Sequence, residues 1–323
     1  MRRRLFWHLA GGLLAVRPLR AFAQTQGAPV VGVLISGRLG TYYAVDDLRA
    51  ALRDGGFAGS VRLEVRGAEG QYERLPGLAG ELVALPSRVI VALSLPSALA
   101  AQAATRTIPI VFTSGADPVA FGLVPSLSRP GGNLTGFTNY FGPLGAKRLE
   151  LLRELVPTAG VIGILLNPDN PNAQEHLQNV EAAARVLGQA TRVVRAGSDA
   201  EIEAAFATLA QERVGALLVS DDPSYGARAK LLVGLAARHA LPTIYHASEF
   251  TDAGGLICYG AKVSDGIKVV GDYAARILQG ARAGDLPVQQ PNKFHLVVNV
   301  ATARTLNLAV PPALLARADE VIE

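Results

Sequence analysis

The stretch IPIVFTSGADPVAFGLVPSLSRPGGNLTGF, residues 108–137, decides how the rest of the chain reads. An apolar run (108–112) breaks at a burst of Thr113, Ser114, Gly115, Asp117 and Pro118. A second burst, RPGGN at 129–133, precedes another apolar run at 134–137. An uninterrupted apolar strand that ends in small polar residues suits a parallel sheet covered on both faces, with ligands bound beyond the strands' carboxyl ends. The first burst therefore reads as a strand-end loop on a cleft. The second reads as a tight turn whose glycines supply positive φ.

The same rhythm runs through the chain. Strands are expected at 30–35, 61–65, 89–93, 108–112 and 134–137, and again at 161–166, 191–194, 216–219, 243–245 and 256–259. Helical spacing lies between them, such as Val45, Leu48 and Leu52 stopping at Gly55-Gly56. Ser198 with Glu201 three residues on is a capping-box start for a helix to about Arg213. The expectation is an α/β protein: two doubly wound parallel-sheet lobes joined by the helix 146–156. A helix (264–278), a turn-rich segment, a strand (294–298) and a last helix are too few for a third domain. They are expected to cross back and complete the lobes, leaving a multi-strand hinge. The lobes are then 28–140 with about 255–287, and 141–254 with about 288–323.

With 323 residues, half of them apolar, the chain is long enough for two ordinary cores. Its formal charge of +4 comes from the first 23 residues, which hold Arg2, Arg3, Arg4, Arg17 and Arg20 and no acid. Removing those five from 31 Lys and Arg leaves 26, against 27 Asp and Glu. Nucleic-acid binding thus has no electrostatic footprint beyond that segment. Residues 1–23 read as a cleavable signal peptide: a basic start, an apolar run from 5 to 16, and Ala21-Phe22-Ala23 before a cut at Gln24. Arg3-Arg4-Leu5-Phe6 also resembles a twin-arginine pattern, so general secretion and twin-arginine export both stay open. The run is too short to cross a bilayer, which takes about 20 apolar residues. Cys258 is the single cysteine, so no intrachain disulfide forms, no N-terminal Cys carries lipid, and the residue is read as core. A monomeric protein of the periplasm is expected, without membrane insertion.

The strand-end rule selects six loops. Ser36, Arg38 and Tyr42, then Ser94 and Ser97, then Thr113, Ser114 and Asp117 come from the first lobe. Asn167 and Asn170, then Ser220, Asp221 and Tyr225, then Tyr245, His246 and Glu249 come from the second. Hydroxyls, amides and rings of this kind hold a small polar solute. Catalytic alternatives find little support. No GxGxxG, Walker A, HExxH or GxSxG pattern occurs, and His8, His176, His239, His246 and His295 lack metal spacing. Asp221-Asp222 ahead of Pro223 is explained by a capping Asp with proline at the first helical position. No catalytic residue, metal or cofactor is expected.

DPVAFGLVPSLSRPGGNLTG (117–136), AKRLELLRELVP (146–157), NPDNP (167–171), ARHALPTIY (237–245), AGGLICYG (253–260), DLPVQQPNKFHLVVN (285–299) and VPPALLARADEVI (310–322) give the chain a family likeness. It resembles the ABC-transporter substrate-binding proteins of the tryptophan/tyrosine-type uptake family over nearly its whole length after the leader. The resemblance implies a type I periplasmic binding-protein fold and no enzyme activity. It also implies capture of a small solute, by analogy an aromatic amino acid or related organic acid, for an inner-membrane ABC permease with its cytoplasmic ATPase. Presentation of the bound solute to a membrane sensor is the alternative. In such sites hydroxyls and helix N-termini hold the carboxylate, a role that suits Ser97, Thr113 and Ser114. Asp117 either takes an ammonium or caps a helix that begins at Pro118. His246 stands where many relatives have an acid, and Arg38 suits a second carboxylate.

Overall fold

The computed structural model describes residues 28–37, 44–139 and 144–323. The leader, with Arg38 and Tyr42, lies outside the described residues. The first lobe contains β1 (Val30–Ile35), α1 (Ala44–Leu52), β2 (Arg62–Gly67), α2 (Leu75–Ala84), β3 (Ser87–Leu93), α3 (Leu95–Ala104), β4 (Ile110–Ser114) and β5 (Leu134–Thr138). Its five strands run parallel in the order β2-β1-β3-β4-β5. The apolar runs are buried from both sides, β1 and β5 along their whole length. β4 extends two residues beyond the expected run, so Thr113 and Ser114 are its last residues and pair with Phe137 and Thr138. In the turn before β5, Gly131 has φ +73, a conformation that favours glycine, as the RPGGN pattern requires.

The second lobe begins with α4 (Leu144–Leu155) and continues β6 (Val161–Leu166), α5 (Ala173–Val186), β7 (Ala190–Arg195), α6 (Asp199–Gln211) and β8 (Ala216–Val219). Then follow α7 (Pro223–Gly226), α8 (Ala229–Arg238), β9 (Thr243–Tyr245), α9 (Ser248–Asp252) and β10 (Ile257–Gly260). Ser198 and Glu201 form the reciprocal capping box that starts α6. After β10 the chain returns to the first lobe. There α10 (Val263–Leu278) packs on α1 and joins the core of β1, β3 and β5 through Ile267, Val270, Tyr273 and Ala274.

The ending differs from the expectation. β10 pairs with β9 on one edge and β11 (His295–Asn299) on the other, so residues up to Gly260 belong to the second sheet. The crossing to the first lobe therefore comes at 260–263 rather than at about 255. The expected last helix is instead α11 (Val300–Thr305), α12 (Pro312–Arg317) and a short β12 (Glu320–Ile322) that pairs parallel with β11. Asn307, at φ +54, ends α11 in the left-handed conformation common at helix C-termini, and Pro312 starts α12 as its first residue. The second sheet is β12-β11-β10-β9-β8-β6-β7, parallel except where β10 meets β11. A third crossing leads to β11. Its Gln289 bridges Phe137, with hydrogen bonds to Gly136 and Thr138, so it runs alongside the end of β5.

Candidate functional site

Both sheets point their carboxyl ends at a cleft, and there the structure holds a cavity of about 450 Å³. The first lobe contributes Ser94, Thr113, Ser114, Gly115 and Phe137 to its wall. The second contributes Arg148, Asp221, His246, Glu249 and Cys258, the crossing segment adds Lys262, and the start of α10 adds Ser264.

Ser94 reaches this wall because it caps α3. Its Oγ accepts from the Ser97 amide at 3.2 Å and donates to Ser97 Oγ at 2.9 Å. Ser36 Oγ donates to Ser94 Oγ at 3.0 Å. Ser36 and Ser97 are fully buried behind Ser94 and do not line the cavity. Ser114 Oγ is engaged with its own loop, accepting from the Ala116 amide and donating to its carbonyl. Asp117 does not line the cavity either. Its Oδ1 accepts from the Val119 amide at 2.8 Å, which is the capping geometry.

In the second lobe most of the expected residues build the loops rather than the wall. Asn167 and Asn170 are buried and donate to Asp222 Oδ2 at 3.1 and 2.7 Å. Asp222 caps α7, with Pro223 at the helix start. Ser220 is buried at the end of β8 and absent from the wall. Tyr225 is a core residue whose hydroxyl donates to the Ala196 carbonyl at 2.7 Å. Tyr245 is also core, stacked on Phe250 with ring centroids 4.5 Å apart. These tyrosines were expected at the ligand because each lies near a strand end. The helices packed over β8 and β9 bury them instead.

Asp221, His246 and Glu249 do meet at the cavity. His246 Nε2 lies 3.8 Å from Asp221 Oδ1, and Arg148 Nη2 lies 3.9 Å from Asp221 Oδ2. Burial pushes the His246 pKa down, with Asp221 opposing, and burial pushes the Glu249 carboxyl up. Glu249 Oε2 and His246 Nδ1 are buried without hydrogen-bond partners among the described residues. Cys258 touches the same wall, but burial lifts its thiol to about 11, so it is no thiolate nucleophile.

Arg148 went unnoticed in the sequence. It sits on the inner face of α4 with Leu151, Leu152 and Leu155, one and two turns on. Its Nε donates to the Tyr259 carbonyl at 2.7 Å. A cation on the apolar face of an amphipathic helix was the available signal, because such a residue is buried only with partners. A smaller polar cavity of about 30 Å³ adjoins it, lined by Asn139, Asn172 and His176 with Arg148 and Asp221. Among the described residues no cluster of His, Cys, Asp and Glu is arranged to hold a metal, and no helix is long and apolar enough to cross a membrane.

A family model for ABC transporter substrate binding proteins matches residues 30–322. The chain belongs to that family. A tyrosine-binding protein of Clostridioides difficile is 27% identical over 260 residues, 80% of this chain and 74% of that one. A conserved domain protein of Vibrio cholerae superposes with a TM-score of 0.81 at 27% identity, over 91% of this chain and 99% of the other. A Streptococcus pneumoniae ABC domain in complex with L-Trp gives 0.80 at 24% identity, with the same coverages. The two-lobed architecture of this substrate-binding protein is the type I periplasmic binding-protein fold. Family and fold alike are those of binding proteins, not enzymes.

Proposed function

We propose that this protein is the periplasmic solute-binding component of an ABC importer, exported by its leader. It would capture an aromatic amino acid or a related organic acid between its lobes and deliver it to a permease. The observation that carries this reading is the cavity of about 450 Å³ walled by both lobes, large enough for a solute of that size. Its walls are chemically opposed. The first lobe offers the Thr113 hydroxyl and the amino end of α3, which together suit a carboxylate, while Ser94, its proton given to Ser97, holds that helix end in place. The second offers the Asp221 and Glu249 carboxyls, which suit an ammonium. Asp221 thus takes the role that Asp117, engaged as a cap, does not. Leu93, Phe137, Val263 and Ile267 supply an apolar side for the body of the solute.

The named ligands of the relatives support the same class: tyrosine in one, L-Trp in another. Solute contacts on both lobes favour the closed arrangement, so binding shifts a population of lobe positions about the crossing segments, and the permease reads the closed form. Calorimetry of the chain from Gln24 onward with L-tyrosine, L-tryptophan and small aromatic acids tests the proposal. Saturable binding of one of them is expected; no heat from any of these solutes would remove the basis of the reading.

A further inference from the structure

Outside the cavity, a second set of contacts ties the lobes together. Tyr72 lies in the short turn Tyr72–Arg74 that leads into α2 of the first lobe. Its hydroxyl is 3.1 Å from both carboxylate oxygens of Asp222, in the second lobe. Asp222 is fully buried, and among the described residues its other donors are all second-lobe groups: Asn167 Nδ2, Asn170 Nδ2, the Ser224 amide and the Ser224 hydroxyl. Tyr72 is therefore the donor that crosses the cleft. Burial and then the neighbouring carboxylate push its hydroxyl pKa well up, which keeps the proton in place to be donated.

The adjoining backbone docks at the same place. Gly70, at φ +83, comes so close that a β-carbon there would stand 2.8 Å from Arg228 Nη1. Arg228 is itself held in the second lobe by Asp199 and the Ser224 carbonyl. Neither Tyr72, Asp222 nor Arg228 lines the cavity.

We propose that Tyr72 and Asp222 form a latch: a positioning pair that sets solute affinity by holding the lobes closed, without touching the solute. The inference rests on lobe closure as the means of capture. The latch is built to release. When the lobes part, Asp222 loses one donor and keeps four from its own lobe, so opening leaves no bare buried charge and does not disturb the fold of the second lobe. A hydrogen bond to a carboxylate corresponds to about tenfold or more in the ratio of closed to open forms. Because the latch holds the ligand-free lobes closed, removing the bond opens them, and the apparent affinity falls with the closed fraction, by at most the same factor.

Small-angle scattering of ligand-free wild type and Tyr72→Phe, together with calorimetric titration of L-tyrosine and L-tryptophan, tests this. Tyr225→Phe serves as the control, because it also removes a tyrosine hydroxyl from a hydrogen bond but lies within one lobe. The expected result is a larger radius of gyration for Tyr72→Phe alone. For any amino acid that binds wild type, the dissociation constant should rise, by at most about tenfold and in step with the loss of closed form. Identical ligand-free scattering of Tyr72→Phe and wild type overturns the latch, as does equal expansion in both variants. If neither amino acid binds wild type, the proposed solute class fails, while the scattering comparison still decides the latch.

Discussion

Lowering the pH should expose His176. Its ring is packed in the second lobe with Nε2 buried and unpartnered among the described residues. Burial, and then the Arg148 guanidinium, push its pKa from 6.5 to about 4. The folded chain thus holds this proton less well than the unfolded chain. Stability that is complete above pH 6.5 is lost as the pH falls toward about 4. At about 1.4 kcal/mol per unit, the whole window amounts to about 3 kcal/mol. Urea unfolding of wild type and His176→Gln across that range isolates the effect, because Gln has no proton to gain. Glu201, Glu212 and Asp319, whose pKa values hydrogen bonds lower, also weaken the fold in acid, and His246 is depressed like His176. The three carboxylates are present in both proteins and cancel in the difference, which leaves His176 and its coupling to His246. The wild-type advantage should shrink by about 1.4 kcal/mol per pH unit below the unfolded pKa. Parallel stability curves for the two proteins would refute the reasoning, whatever their offset.

Asp221→Asn should selectively weaken amino-bearing solutes relative to deaminated analogues, since it removes one of the second lobe's cavity-facing carboxylates; calorimetry with L-tyrosine and its deaminated acid measures the ratio. Ser94→Ala should destabilise the chain by about 1 kcal/mol through loss of the α3 cap, as thermal melts would show. Tyr225→Phe should cost about 1 kcal/mol in urea unfolding and leave solute affinity unchanged, because its hydroxyl bonds the Ala196 carbonyl inside the lobe. Arg148→Met should raise the affinity for ammonium-bearing solutes at the expense of carboxylates, because Asp221 loses the cation 3.9 Å away that offsets its charge.

Much of the architecture was readable along the chain. The apolar runs at 30–35 and 161–166, the capping box at Ser198 and Glu201, and the Asp222-Pro223 helix start each depend on a few neighbouring residues, and each stands in the structure as the local pattern implied. The site was readable as a set of loops but not as a wall. Ser94 and Ser97 are three residues apart on one helix start, yet Ser94 lines the cavity and Ser97 lies behind it. Tyr225 and Tyr245 stand near strand ends but turn inward under the helices that cover β8 and β9.

What the sequence by itself determined is therefore the pair of parallel-sheet lobes and the place of the cleft at their strand ends, which follow from hydrophobic periodicity and short-range turn and cap chemistry, together with a family likeness that rests on the resemblance of its motifs. Only the tertiary structure decided that β10 completes the second sheet, that Arg148 of the joining helix meets Asp221 and His246 at the cavity, and that Tyr72 reaches Asp222 across the cleft. Tyr72 and Asp222 are 150 positions apart, and Arg148 and Asp221 are 73. Neither pair leaves a periodic trace, because the first contact is made between the lobes and the second between distant elements of the second lobe, not by any segment of chain alone.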